Sequence, residues 1–245
     1  MNFAFTSRAV LVALALSVAS PSCHNAYALL WDDFESYDLG VWPGPNWVAL
    51  ANAVGDPANN HVALDPDALS PNNKVLGLHG VVNTSASALH AFDNPSNFVI
   101  ESRVWNGDED QPAGWGRGSI SITKDIAFVP SRTLFQFWPD GTWTTEGGLS
   151  GSYDTKRWYD VKVQYNRQGS DLDLSYWLDG IFVGDANVTV ADVSTEAMFG
   201  YVNLNAGGTA YFDDIHVRAV PEPEPAVLML VGIFTALGVM CRRRE

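Results

Sequence analysis

Through the middle of the chain, apolar residues recur at every second position in short runs separated by Gly, Asn, Asp or Pro. Successive side chains of a strand point to opposite faces, so this period predicts half-buried β-strands rather than helices. Phe98–Trp105 (FVIESRVW) is one such run, followed by Ser119–Thr123, Thr133–Trp138 and Thr142–Thr145. Pro139-Asp140-Gly141 joins the last two as a hairpin. Trp158–Tyr165 (WYDVKVQY) sets Val161, Val163 and Tyr165 on one face. Asp171–Leu178 (DLDLSYWL) alternates as well, and Asp179-Gly180 turns it into Ile181–Val183. Gly200–Leu204 and Tyr211–Val217 complete the set. So many short strands predict an all-β, antiparallel two-sheet sandwich over residues 29–219.

Both ends break the pattern. Residues 1–28 carry a single charge, Arg8, then an apolar run from Ala9 to Ala19, then Ala26-Tyr27-Ala28. That order is the signature of a cleavable secretion signal, and the run is too short to span a bilayer core of roughly 30 Å. A lipoprotein reading at Cys23 lacks the usual apolar residue three positions upstream. Residues 220–245 begin Val220-Pro221-Glu222-Pro223-Glu224-Pro225, where alternate prolines favour a stiff extended spacer. An uncharged apolar run, Ala226–Cys241, follows and then Arg242-Arg243-Arg244. As a helix that run reaches about 24 Å, enough for transient membrane insertion if the arginines snorkel. They would stay on the cytoplasmic side and leave the sandwich outside.

Composition narrows the partners. The chain carries a formal charge of −14, and 25 of its 28 acidic residues but only ten of its 14 basic ones fall in residues 29–219. A surface that acidic repels phosphate backbones, so no nucleic-acid partner is expected. It suits divalent cations and neutral sugars. Both cysteines, Cys23 and Cys241, lie in the terminal segments, so the sandwich is expected to fold without a disulfide.

Pro221, Glu222 and Pro223, the short apolar run and Arg242, Arg243 and Arg244 together resemble the PEP-CTERM sorting signal of Gram-negative bacteria. The resemblance implies an exosortase-type membrane protease that removes the tail during delivery to the cell surface or extracellular matrix. A second resemblance covers residues 29–219. The chain opens on Asp32-Asp33-Phe34-Glu35 and closes on Tyr211-Phe212-Asp213-Asp214-Ile215-His216-Val217. Between them stand Trp158-Tyr159-Asp160-Val161-Lys162-Val163 and Trp177-Leu178-Asp179-Gly180. This is similar to the concanavalin A-like jelly roll, which implies that the first and last strands lie side by side.

Jelly rolls of that kind include glycanases. Retaining glycosidases need two carboxylates about 5–5.5 Å apart, and glucanase members carry acids at alternate positions of one strand. Glu101-Ser102-Arg103-Val104-Trp105 offers one carboxylate. Asp171 and Asp173 share a face but lead to Ser175, which reads as an exposed acidic face. Gln136-Phe137-Trp138 departs at its last residue from the Gln-x-His strand of alginate lyases. No histidine pair has zinc spacing, and no nucleophile elbow or phosphate loop occurs. The expectation is a non-catalytic protein that binds glycan or exopolysaccharide. An unrecognised hydrolase or lyase site, or a ligand-free structural role, stays open.

Nine tryptophans supply candidate ligand contacts, since a sugar stacks its C–H face on an indole ring. Trp115 lies in the glycine-rich Gly114–Gly118, and Trp138 and Trp143 flank the Asp140-Gly141 turn, so these three are the expected stacking rings. Trp158 and Trp177, on regular strands, are expected in the core. Asp33, Glu35, Asp213 and Asp214 would crowd one sheet edge if the terminal strands pair. A structural Ca²⁺ held by Glu35 and Asp214 would relieve that crowding.

Overall fold

The period-two pattern becomes a sandwich whose regular elements are all strands. The computed structural model describes residues 28–51, 59–67, 70–80, 85–108, 116–124, 131–190 and 199–220, and no helix occurs among them. Residues 1–27 of the expected secretion signal, residues 221–245 of the expected sorting segment and Trp115 lie outside the described residues, while Ala28, expected as the last residue of the signal, opens the first strand. In chain order the strands are β1 (Ala28–Asp32), β2 (Trp47–Ala51), β3 (His61–Leu64), β4 (Lys74–His79) and β5 (Ala86–Ala91). Then come β6 (Asn97–Asn106), β7 (Gly118–Thr123), β8 (Ser131–Phe137), β9 (Thr142–Thr145) and β10 (Ser150–Ser152). The last five are β11 (Trp158–Gln168), β12 (Asp171–Leu178), β13 (Ile181–Thr189), β14 (Tyr201–Ala206) and β15 (Thr209–Ala219).

They form two antiparallel sheets, the sandwich expected from the pattern and the jelly roll that the resemblance implies. One has eight strands in the order β13-β12-β11-β6-β15-β4-β3, with β1 also on β15; the other has seven, β10-β9-β8-β7-β14-β5-β2. The terminal strands β1 and β15 pair antiparallel, Trp31 opposite His216 and Asp32 opposite Ile215. Along one edge of β15 the partner changes: Thr209–Phe212 pair with β4 and Ile215–Arg218 with β1. A bulge at Asp213–Asp214 marks the change, with Asp214 in the left-handed region (φ 49°). The β12–β13 hairpin turns through Asp179 and Gly180, both at positive φ, as a two-residue turn between right-twisted strands requires.

The inward faces meet in an aromatic core. Tyr159, Val161, Val163 and Tyr165 of β11 point inward with Phe98, Ile100 and Val104 of β6. Phe98 stacks on Tyr165 with ring centroids 4.5 Å apart. From the other sheet come Ile120, Ile122, Phe135, Phe137, Val202 and Leu204. Trp143 joins them, only 7% exposed and stacked on Phe135. This corrects the expectation that Trp143 presents an open ring, because its position on β9 pairs with the inward Phe137. Gly151 lies beneath it, where a Cβ would come within 2.5 Å of the indole. Trp143→Ala should therefore cost about 3–5 kcal/mol, as a large core truncation does. Urea unfolding checks it, and a cost below about 1 kcal/mol would contradict the burial.

Candidate functional site

Because the core takes every second side chain of each strand, the alternate ones form two outward faces of different chemistry. On the seven strands of the smaller sheet the only Asp, Glu, Lys or Arg is Arg132. It stands opposite the inward Ile122 and bonds to Glu146. The outward set is Ser87 and Leu89 on β5, Tyr201, Asn203 and Asn205 on β14, and Ser119, Ser121 and Thr123 on β7. Thr133 and Gln136 of β8 and Thr144 of β9 extend it. With the apolar Leu89, and Val48 and Leu50 opposite Leu89 and Ser87 on β2, amides and hydroxyls thus make up a face without a charge among the described residues.

This face has a shielded centre and an accessible margin. Ser87, Leu89, Ser121, Thr123 and Asn203 are buried although they point away from the core. Ser87 Oγ and Asn203 Oδ1 are buried there without a hydrogen-bond partner among the described residues. Ser121 Oγ donates to Thr133 Oγ1 at 3.3 Å. The margin, with Tyr201, Asn205, Thr133, Gln136 and Thr144, is half exposed. Trp138, which follows β8, donates its indole N–H to Thr144 Oγ1 at 2.7 Å, and so one expected stacking ring lies half-buried at this margin. Gln136 lies over Gly116, where a Cβ would come within 2.1 Å of its amide nitrogen.

The outward face of the larger sheet is charged. Arg103 on β6 packs its guanidinium over Trp158, 4.7 Å from the ring centroid. It reaches Asp213 at 3.4 Å, Asp160 at 3.6 Å and Asp214 at 4.0 Å. Trp158 donates to Asp65 at 2.9 Å, and Asn73 bridges Asp65 and Asp213 at 3.3 and 2.9 Å. Trp158 and Trp177 are thus not core residues: both occupy outward positions and are half exposed. Glu101 accepts both of its bonds from Arg218, at 2.7 and 2.8 Å, and lies 3.7 Å from Lys162.

The expected calcium ligands are not assembled. β1 ends at Asp32 and the chain turns at Phe34 (φ 56°), so Asp33 and Glu35 leave the sheet rather than share a strand face. Glu35 Oε1 accepts the Lys74 backbone N–H at 2.9 Å, while Lys74 Nζ donates to the carbonyls of Glu35 and Tyr37 at 2.9 and 2.7 Å. Asp32 accepts from the Phe34 N–H, the Tyr37 hydroxyl and the Trp47 indole at 2.7–2.9 Å. Asp214 lies beside Arg103. Among the described residues, no three His, Cys, Asp or Glu side chains converge as a cation site. At the junction where calcium was expected, Lys74 thus stands beside Glu35 and Arg103 beside Asp214, while Asn73 joins Asp65 to Asp213.

No protein-family model matches the sequence, and no curated protein matches it. Solved structures are similar. A sialidase is 14% identical, aligned over 80% of this chain and 19% of its own, with a TM-score of 0.53. The chain therefore spans about a fifth of that protein. An endo-1,3-β-glucanase from Streptomyces sioyaensis is 13% identical over 80% of this chain and 97% of its own, with a TM-score of 0.51. The exoplasmic/lumenal domain of VIP36, in a Ca²⁺/Man2-bound form, gives 10% identity, 82% and 90% coverage, and a TM-score of 0.48. At such identities the likeness is one of fold, a jelly-roll sandwich.

Asp213 offers a test of the charged face. Its side chain is 3% exposed, and burial, with Asp214 adjacent, raises its pKa to about 6 against the opposing pull of Asn73 and Arg103. An unfolded aspartate titrates near about 3.9, so between those values the folded chain holds a proton that the unfolded chain lacks. Stability from this group accordingly falls as pH rises through that window. Comparing the melting temperatures of the wild type and Asp213→Asn from pH 7 to 4 should show the wild type gaining on the variant as the pH drops. A difference flat in pH would show that Asp213 titrates ordinarily.

Proposed function

We propose that this is an exported, non-catalytic protein that holds a neutral glycan against the outward face of the seven-stranded sheet. The observation that carries the reading is that this face is uncharged among the described residues, on a chain of formal charge −14. Sugar hydroxyls both donate and accept, and the amides of Asn205 and Gln136 and the hydroxyls of Thr133 and Thr144 do the same without the desolvation cost of a charge. Trp138 supplies an indole at the margin. Hydrolysis of a glycosidic bond needs a positioned acid and base, and this face offers neither among the described residues. The endo-1,3-β-glucanase of the same fold is named for a neutral glucan, which makes soluble β-1,3-glucan the first probe. Galactomannan serves as a second neutral probe and alginate as an anionic one.

Affinity electrophoresis in gels containing each polymer should retard the protein in at least one neutral glycan and less in alginate. Trp138→Ala should weaken retention roughly fivefold, equivalent to about 1 kcal/mol for one stacked ring. Gln136→Ala should act in the same direction. New reducing ends or unsaturated products would replace this reading with an enzyme, and no retention in any polymer would remove the glycan from it.

The export half rests on the sequence of the terminal segments. The Ala26-Tyr27-Ala28 site and the Pro221–Pro223, apolar run and Arg242–Arg244 order support passage across the inner membrane and sorting by an exosortase-type protease. The destination proposed is the surface or matrix of a Gram-negative bacterium. Mass spectrometry of the natural surface material should find a chain ending near Val220. A protein that retains Ala226–Glu245 there would overturn the sorting step.

A further inference from the structure

One transverse line of side chains crosses six strands of the larger sheet. Trp31 on β1 stands opposite His216 on β15, His216 opposite Glu101 on β6, and Glu101 opposite Lys162 on β11. Lys162 stands opposite Trp177 on β12, and Trp177 opposite Phe182 on β13. Five inter-strand steps of about 4.8 Å make the line about 24 Å long. All six side chains face away from the core. Rings occupy both ends: Trp31 is 67% exposed and Phe182 52% exposed. Single exposed apolar residues need no explanation, but a set in register along one line does.

Neighbour contacts hold these groups in place. Trp31 meets the His216 ring edge-on at 5.2 Å, and Trp177 meets Phe182 at 5.5 Å. Lys162 Nζ sits 4.7 Å from the centroid of Trp177 and 3.7 Å from Glu101. Between the ends runs a groove of about 550 Å³ lined by Glu101, Arg103, Asp160, Lys162, Trp177 and His216. Its charges are paired locally, Glu101 with Lys162 and Arg218, Arg103 with Asp213, Asp160 and Asp214. Each ionic pair places donors beside acceptors, the arrangement that vicinal hydroxyls satisfy.

We propose that this line is a second glycan-binding surface, so that one molecule bridges two polysaccharide chains from opposite faces of the sandwich. This rests on the reading that the seven-stranded face holds a neutral glycan. The occupant is a neutral, extended glycan lying across the strands, with sugar rings against Trp31 and Trp177. A polyanion is disfavoured because Arg103 and Lys162 already face carboxylates, and by the charge of the whole chain. Along the middle of the line a peptide strand finds no backbone to pair with, because β15, β6, β11 and β12 are each bonded on both sides. Two sites also convert weak single contacts into retention on a polymer, since the second contact forms at high effective concentration.

The full chain is titrated with short β-1,3-glucan and galactomannan oligosaccharides by calorimetry, and with the long polymers by light scattering. Two oligosaccharides per chain are expected, with scattering that peaks at an intermediate protein-to-polymer ratio. Trp31→Ala, and separately Trp177→Ala, should lower the stoichiometry to one and reduce the scattering peak at least tenfold. Retention through the other face should stay within twofold, and Trp177→Phe should restore bridging. A wild-type stoichiometry of one, or bridging that survives both alanine variants, overturns the proposal while leaving the first site standing. No binding of either oligosaccharide overturns both. A ligand-free dimer that Trp31→Ala dissociates in sedimentation would assign the line to a second copy of the chain and overturn it as well.

Discussion

The stacked contact of Phe98 with Tyr165, and the aromatic layer around it, holds the register on which every outward group depends. A strand has two faces and a period of two, so a slip by one residue exchanges them completely. With Val163 opposite Ile100 and facing in, Lys162 must stand opposite Glu101 and face out. The same holds in the other sheet, where Ile120, Leu204 and Ala88 face inward in line. Their neighbours Ser121, Asn203 and Leu89 are thereby aligned on the far side. Any binding surface of this protein is a by-product of core registration.

The interior also dictates where regularity fails. β15 serves two partners on one edge, and no straight strand can follow both β4 and β1. The bulge at Asp213–Asp214 absorbs the change and turns a buried carboxylate toward the junction. There Asp213 is held by Asn73 and the Asp214 backbone N–H, while Lys74 ties down the turn after β1. An ammonium, an amide and a guanidinium therefore occupy the place where chain ends rich in acid meet. Directed donors satisfy buried carboxylates at fixed positions, and burial still raises Asp213 because desolvation outweighs them.

The two outward faces divide the chemistry of the surface between them. One sheet carries Asp32, Lys74, Glu101, Arg103, Asp160, Lys162, Asp213 and Arg218, among others, while among the described residues the strands of the other carry only Arg132. Charge on the larger sheet keeps its outward aromatic rings soluble and fixes their orientation through cation–π contacts. On the smaller sheet the described outward positions carry amides and hydroxyls instead.

Alternation in the sequence was enough to locate every strand of residues 98–217 except β10, though β13 runs on past Val183 to Thr189, together with their hairpin turns and the all-β sandwich, because a strand that buries one face must alternate. It also contained the placement of Trp158 and Trp177. Their parity is opposite to that of Val161, Val163 and Tyr176, so an outward position follows from counting, and reading strand tryptophans as core overlooked it. Trp143 was misread for the converse reason: proximity to the Asp140-Gly141 turn suggested exposure, but its partner across β8 is the inward Phe137. What the sequence could not decide is which strands share a sheet. β5, β7 and β14 are separated by long stretches of chain, and each alone is merely a short uncharged strand. Only the order β8-β7-β14-β5 joins them into one uncharged face, and only the β1–β15–β6–β11–β12–β13 succession aligns Trp31 with Phe182. Such adjacency is set by long-range pairing and by packing of two sheets on one core, which no local pattern encodes.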